Sequence, residues 1–419
     1  MNEAVIIEAV RTPFGRRGGA LREQRPDALL AHVIDRLLER AGIDARKIED
    51  VIDGTVTLAG EQGANPARLA VLLSKLPVEV PGVSLNRMCG SSQQAVHFAA
   101  QAIAAGDMDY VIGCGVESMS RVPMFLDIGL GGPVNGFEKL DPELFKRHEL
   151  IHQGESAERV ADQWGLSRQV VDEFAKESHR RAALAQKAGL NRELISVTGV
   201  APDGKPAAID RDEGVRAQID EAKMASLKPA FRPEGKGVVT AANSSQISDG
   251  ASAILVASAH AARADGLKAK ARFRSRIAVG SDPTMQLTGV IPATRLALAK
   301  AGRPFDSKTV AFLVSSVGTP ALVFFNLAKT PMVPGVLLSL SAATAIAILF
   351  YLALGGAVLK ASRLKARTYL PSLAFPNSGN LGLPLALYAG GEAGLSYAIV
   401  IFAVTSIFNL TAGQAIAAG

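Results

Sequence analysis

Asn86-Arg87-Met88-Cys89-Gly90-Ser91-Ser92-Gln93-Gln94-Ala95 is the stretch on which the fold turns. Val83–Asn86 reads as a short strand, and Ser91–Ala105 as a helix opened by small residues. Between them the Cys89 sulfur falls at a helix N-terminus. Unpaired N–H groups and the helix dipole favour a thiolate there. A thiolate so placed can attack a thioester carbonyl and form an acyl-enzyme. Composition alone favours the opposite assignment, because a free cysteine is usually a small buried hydrophobe. The rest of the chain has to decide.

Outward from this stretch, strands and helices alternate. MNEAVIIEAV reads as a first strand and lacks the basic start of a signal peptide. A helix is predicted over Asp27–Ala41, with Leu29, Leu30, Val33, Ile34, Leu37 and Leu38 on one face. Val51–Thr57 reads as a strand, Pro66–Lys75 as a helix and Tyr110–Gly115 as a buried strand. This alternation predicts a parallel sheet covered on both faces. From about Ser118 to Gly237 the pattern becomes an α-rich lobe, with helices at Glu155–Trp164 and Gln169–Ala188. Strand character returns at Ala253–Ala257, then a helix to Gly266, a strand at Ala271–Gly280 and a helix at Ile291–Gly302.

The Cys89 stretch resembles the nucleophile loop of the thiolase family. The resemblance continues through Arg11-Thr12-Pro13-Phe14-Gly15, Gly113-Cys114-Gly115-Val116-Glu117-Ser118-Met119-Ser120, Thr240-Ala241-Ala242-Asn243-Ser244-Ser245 and Ser248-Asp249-Gly250-Ala251-Ser252-Ala253. It covers about 1–302. It implies an α/β thiolase-like layered fold: an N-terminal domain over 1–268 with an inserted loop domain at about 118–237, and the start of a C-terminal domain over 269–307. It further implies an acyltransferase of fatty acid metabolism, acting on acyl-CoA and 3-ketoacyl-CoA thioesters with Cys89 as the acylated nucleophile. No permanently bound cofactor and no metal are expected, and homo-oligomers are usual in the family. By position, Arg216 resembles the residue near the adenine and phosphate end of coenzyme A, and Ser245 the one that contacts the pantetheine. His152 and Phe231 line the same slot. A cation, a hydroxyl and an apolar wall suit those parts of the ligand.

Other residues are read more plainly. Cys114 lies in an apolar strand and His97 on the helix after Cys89, and both are expected to be packing residues. His148, His152 and His179 are too scattered for a metal site. Gly129–Gly136 is read as a flexible flap, not a phosphate cradle.

Three parts of the family's machinery are missing. The resemblance implies a Gly-His-Pro histidine that activates the cysteine, a second cysteine in a Cys-x-Gly-Gly loop, and an Asn-Glu-Ala-Phe segment. The six histidines stand at 32, 97, 148, 152, 179 and 260, none followed by proline, and no cysteine follows Cys114. Impaired turnover is therefore expected.

After Ser307 the composition changes. Thr309–Ala328, Thr330–Leu359, Thr368–Gly391 and Ala393–Gly419 carry no charge. Each is long enough to cross a bilayer, for which about 20 apolar residues suffice. Lys360, Arg363, Lys365 and Arg367 separate the second from the third, and the positive-inside rule places that basic loop in the cytoplasm. With about four spans the front of the chain is then cytoplasmic too, which suits two free cysteines. Phe375-Pro376-Asn377-Ser378-Gly379-Asn380-Leu381-Gly382-Leu383-Pro384 resembles the signature of the auxin efflux carrier family of membrane transporters, and Gly318–Phe324 fits an upstream part of it. This second resemblance covers about 309–419, within a tail at 308–419. It implies all-α transmembrane structure, with Asn377 and Asn380 at a helix break.

A net charge of +6 is, taken alone, a hint of a nucleic-acid partner. However, six Lys/Arg and one acidic residue, Glu392, lie from Lys308 onward, so the front is almost neutral. The excess belongs to the apolar tail, and no basic nucleic-acid face is expected. Lys300–Lys308 joins the two parts without a Gly/Ser spacer, whereas domains usually meet at flexible linkers. The readings that compete with an acyltransferase are a membrane transport fragment and a non-functional chimera.

Overall fold

A computed structural model of the chain describes residues 2–129, 139–303 and 334–362, with isolated positions at 370, 397, 398, 400–405, 408 and 412. The chain falls into two compact units, Met1–Pro304 and Phe305–Gly419.

The first unit is built on a seven-stranded sheet. Its strands are β1 (Ala4–Arg11), β2 (Gly15–Arg16), β3 (Asp50–Gly54), β4 (Gly82–Leu85) and β5 (Tyr110–Ser118), joined later by β8 (Ser248–Ser258) and β9 (Ala271–Arg272). The path across it is β4-β3-β5-β8-β1-β9, with β2 paired to β8. β3 is parallel to both β4 and β5, as the alternation predicts. The fully parallel expectation fails at β8, which is antiparallel to β5 and to β1. β5 leaves the sheet at Ser118 and the chain re-enters with Ser118 paired to Asp249. A chain that returns at the end it left by must run back the other way.

Period-two alternation sorts the strand residues onto two faces. On one face Val5, Ile7, Val10, Ile112, Cys114, Val116 and Leu255 pack against α1 (Pro26–Ala41) and α2 (Pro66–Leu73). The predicted stripe of α1 is buried as expected, with Leu30, Val33, Ile34 and Leu37 fully so. On the other face Ile52, Val111 and Val256 pack against Ala95, Ala99, Ala100 and Ile103 of α3 (Ser91–Ala105).

α3 lies unusually close to the sheet because glycines floor it. A Cβ on Gly54 would come 2.1 Å from the Ser91 carbonyl carbon, and one on Gly115 2.4 Å from Ser92 Cβ. A Cβ on Gly113 would come 2.8 Å from Val96 Cα. Overpacking of this kind costs about 1–3 kcal/mol. Gly54→Ala is accordingly expected to lower stability by about that amount and to displace the start of α3. Paired urea titrations check it, and an unchanged midpoint would refute the close-packed floor.

The lobe between β5 and β8 holds α4 (Pro142–Arg147), α5 (Gln153–Trp164), α6 (Arg168–Lys187), a hairpin of β6 (Val197–Val200) with β7 (Pro206–Ile209), and α7 (Glu221–Ser226). Arg11 ties β1 to this lobe through two bonds to Asp212, at 2.7 and 3.0 Å, and one to Glu193 at 2.9 Å. After β8 come α8 (Ala259–Ala264) and β9. The strand predicted at Ala271–Gly280 is confined to Ala271–Arg272, which pairs with Val5 and Ile6. Beyond it the chain leaves the sheet and leads into α9 (Val290–Lys300).

In the second unit α10 (Pro334–Ala361) is the described element, and it covers most of the second predicted span. Among the described residues it is the one helix long and apolar enough to cross a membrane, over Leu338–Ala361. The first predicted span lies outside the described residues, as do almost all of the third and most of the fourth. Asn377, Asn380 and most of the Gly129–Gly136 flap also lie outside them.

Candidate active site

The approach to Cys89 is a tight, hydrogen-bonded elbow. β4 ends at Leu85, and the Asn86 side chain then bonds in two directions. Its Nδ2 donates to the Val56 carbonyl at 2.8 Å, and its Oδ1 accepts from Met88 N–H at 2.8 Å. Met88 has φ +49°, in the left-handed region that bulky residues avoid. Gly90 N–H donates to the Arg87 carbonyl at 3.1 Å and Ser91 N–H to the Met88 carbonyl at 3.0 Å. Cys89 emerges from this elbow exposed, immediately before the first turn of α3.

Cys89 opens onto a groove of about 660 Å³. The Cys89 loop and α3 supply Arg87, Gln93 and His97, α5 supplies Gln153, and residues 277–293 supply the opposite wall. That wall is anchored by three bonds. Ser156 Oγ donates to the Thr284 carbonyl at 2.6 Å, Thr284 Oγ1 to the Glu149 carbonyl at 2.7 Å, and Gln286 Nε2 to the Ile151 carbonyl at 2.8 Å. His97 is thus a half-buried groove residue and not a core one. Burial, then nearby Arg276, holds its pKa below the ordinary histidine value. Cys114 is fully buried, with Sγ donating to the Ile52 carbonyl at 3.4 Å, and burial pushes its thiol well up.

His152 and Phe231, 79 positions apart in sequence, come together. Their rings stack with centroids 5.2 Å apart, and Phe125 lies 6.2 Å from His152. His152 caps α5, its Nδ1 accepting from Gly154 N–H at 3.0 Å, so the neutral ring carries its proton on Nε2. A Cβ on Gly154 would meet the Phe231 ring at 2.2 Å, so glycine is required for the stack. The segment after Phe231 is pinned by buried Glu158, whose carboxylate accepts from Val238 and Val239 N–H. Gln153, which lines the Cys89 groove, follows His152 directly in sequence.

Arg216 lies in a separate cavity of about 260 Å³ with His179, Lys223, Met224, Ala242 and Ser244. Arg216 N–H donates to His179 Nδ1 at 3.3 Å, and burial, then the Arg216 charge, lowers the His179 pKa. Ser245 is exposed and does not line this cavity, whereas its neighbours Ser244 and Gln246 do. The sequence reading missed His179 and the 277–293 wall. The signal for the wall was present in Asp282-Pro283-Thr284, where Asp282 Oδ1 accepts from the N–H groups of Thr284 and Met285.

Comparison with known proteins gives these features a context. Residues 4–260 match the family described as the thiolase N-terminal domain. A 3-ketoacyl-CoA thiolase of Serratia proteamaculans is 44% identical over 305 residues, covering 72% of this chain and 76% of that protein. A 3-ketoacyl-CoA thiolase of Vibrio cholerae is 40% identical over 325 residues, covering 77% of this chain and 82% of that protein.

Proposed function

As the chain belongs to the thiolase family, we propose that Cys89 takes an acyl group from an acyl-CoA or 3-ketoacyl-CoA thioester and holds it as an acyl-cysteine. The protein is an acyl-CoA acyltransferase of thiolase type, whose substrates are coenzyme A thioesters and which needs no resident cofactor. The observation that carries the Cys89 role is its exposure at the mouth of a groove, on an elbow built to present it. The His152–Phe231 stack supplies an apolar wall for the pantetheine arm, and Arg216 supplies a cation for the phosphates. Ser244 is the better placed of the two serines to line that cavity. The reading keeps 1–268 as the N-terminal domain and 269–307 as the start of the second, with turnover impaired by the missing histidine and cysteine.

The test is to incubate the chain with acetyl-CoA and map adducts by peptide mass spectrometry. An acyl group on Cys89 that is absent from Cys89→Ala is the expected result. An unmodified Cys89, under conditions that label an intact relative, would sink the reading.

A second reading concerns the tail. Leu338, Ile346, Phe350 and Val358 of α10 are exposed, and the 24 residues Leu338–Ala361 extend about 36 Å at 1.5 Å per residue. A bilayer core is about 30 Å thick. With Lys360, Arg363, Lys365 and Arg367 at its end, α10 is proposed to anchor the chain in the cytoplasmic membrane, basic end inward, and the uncharged stretch Thr309–Ala328 before it to cross in the opposite sense, which keeps the thiolase half in the cytoplasm. A transport role rests only on the auxin efflux carrier resemblance, which lies almost wholly outside the described residues. Carbonate washing of membranes checks the anchor: the chain should stay in the pellet, and release into the wash would refute it.

A further inference from the structure

We infer that Ser91 is a positioning residue for Cys89: its side chain clamps the left-handed Met88 elbow that presents the thiol. Three observations meet at this hydroxyl. Ser91 Oγ accepts from Arg87 N–H at 2.8 Å and donates to the Met88 carbonyl at 2.6 Å, so one side chain ties the bend residue, Met88, to the residue before it. Met88 sits at φ +49°, a conformation that an unbranched but bulky side chain leaves unless neighbouring bonds hold it. Ser91 itself cannot drift, because it is 2% exposed. Beneath it Gly54 leaves no room for a Cβ against its carbonyl carbon.

The geometry separates this role from ordinary helix capping. A capping hydroxyl stands before the helix and accepts from an N–H two or three residues further on. Ser91 is the first residue of α3 and reaches backwards, out of the helix, to Arg87 and Met88. The Gly90 cap position makes no side-chain hydrogen bond. The Ser91 hydroxyl therefore serves the elbow, and its consequence is the direction in which Cys89 leaves it. Asn86 holds the same bend from the other side through Met88 N–H. The clamp thus grips Met88 at both its N–H and its carbonyl.

The inference rests on Cys89 being the acylated group, and the experiment separates the two. Ser91→Ala, Met88→Gly and the double variant are compared in the full chain. One readout is the rate of acyl transfer from acetyl-CoA to Cys89. The other is amide hydrogen exchange at Gly90 and Ser91, whose N–H groups close the elbow. Ser91→Ala is expected to slow acylation tenfold or more and to speed exchange by a similar factor. Glycine adopts positive φ freely, so Met88→Gly should make the clamp dispensable. The double variant should then acylate and exchange within threefold of Met88→Gly alone. A merely structural serine gives a different pattern, with the double variant as impaired as Ser91→Ala. That pattern, or an unchanged exchange rate in Ser91→Ala, overturns the inference. If no variant, and not the parent, is acylated, the Cys89 reading fails while exchange still judges the clamp. If Ser91→Ala does not fold, Met88→Val replaces it. A β-branched residue at this φ should open the elbow in the parent background, and unchanged exchange there overturns the inference.

Discussion

Turnover by the purified chain is expected to be at least about a thousandfold slower than that of an intact 3-ketoacyl-CoA thiolase assayed beside it, even where Cys89 becomes acylated. A positioned general acid or base is worth about 10²–10⁴ in rate, and catalytic groups that act as a unit fail together. The groove residues that could exchange a proton with the reacting centre are Cys89, His97 and Asp282. His97 is a poor candidate for base. It lies on the same helix as the elbow, about 9 Å along the axis from Ser91 at 1.5 Å per residue, whereas a base must reach within about 3 Å. Asp282 Oδ1 is engaged by the N–H groups of Thr284 and Met285, so the acyl-enzyme should form slowly and persist. The groove is open, so a small external base can enter it. Added imidazole is expected to accelerate acylation of Cys89 in proportion to its concentration. Loss of 3-ketoacyl-CoA absorbance measures turnover, and mass spectrometry measures acylation. Turnover within tenfold of the intact relative would show that some group in the chain replaces the missing histidine.

How far such a site can be read without coordinates depends on how local it is. α3 runs over Ser91–Ala105, as its sequence predicts, because Gly90 and Gly106 bound an Ala-rich run that contains neither glycine nor proline. Cys89 is legible for the same reason: strand end, cysteine and helix start are consecutive. The antiparallel entry of β8 is not legible, since it depends on where the chain re-enters the sheet after more than a hundred residues of lobe. The β6–β7 hairpin could have been found, because Pro202-Asp203-Gly204 is a turn signal between two apolar runs.

The residues expected to hold coenzyme A are harder. His152 meets Phe231 only because Gly154 leaves space for the ring, a relation that no spacing rule contains. Motif position points to Ser245, which is exposed, whereas its neighbour Ser244 lines the Arg216 cavity. Asp53-Gly54 illustrates the opposite hazard. Alone the pair is a turn signal, yet it falls inside the strand predicted over Val51–Thr57, and Asp53 is fully buried in β3.

That buried carboxyl leads to the second large effect. Asp53→Asn is expected to gain about 2–4 kcal/mol in stability relative to the parent as pH rises from 4 to 8, any cost of burying its amide N–H groups being the same at both pH values. Burial, which outweighs the hydrogen bonds from Thr55 and Ser84, pushes the Asp53 pKa from 3.8 up to about 7, with the Glu117 charge adding to it. The sign follows directly. A carboxyl whose folded pKa is raised contributes its full stability below about 4, while it is protonated in both states. That contribution is lost as pH rises through about 7, because the unfolded chain ionises freely and the folded one cannot. A shift of about three units corresponds to about 4 kcal/mol at 1.36 kcal/mol per unit, an upper figure because local opening admits water. Thr55 Oγ1 donates to Asp53 Oδ2 at 2.9 Å, whereas Oδ1 has no partner. Asparagine keeps the first bond and removes the charge. Cys114, paired with Asp53 across β3 and β5, is a built-in reporter, because it is fully buried until the sheet opens. Its alkylation at increasing urea, followed at pH 8 and at a mildly acidic pH with a reagent suited to each, gives the opening free energy of parent and variant. Ionisations elsewhere in the chain are common to both and cancel in the difference. A gap between the two that does not widen with pH would mean that Asp53 ionises near its ordinary value, and that water reaches it beneath the floor of Cys89.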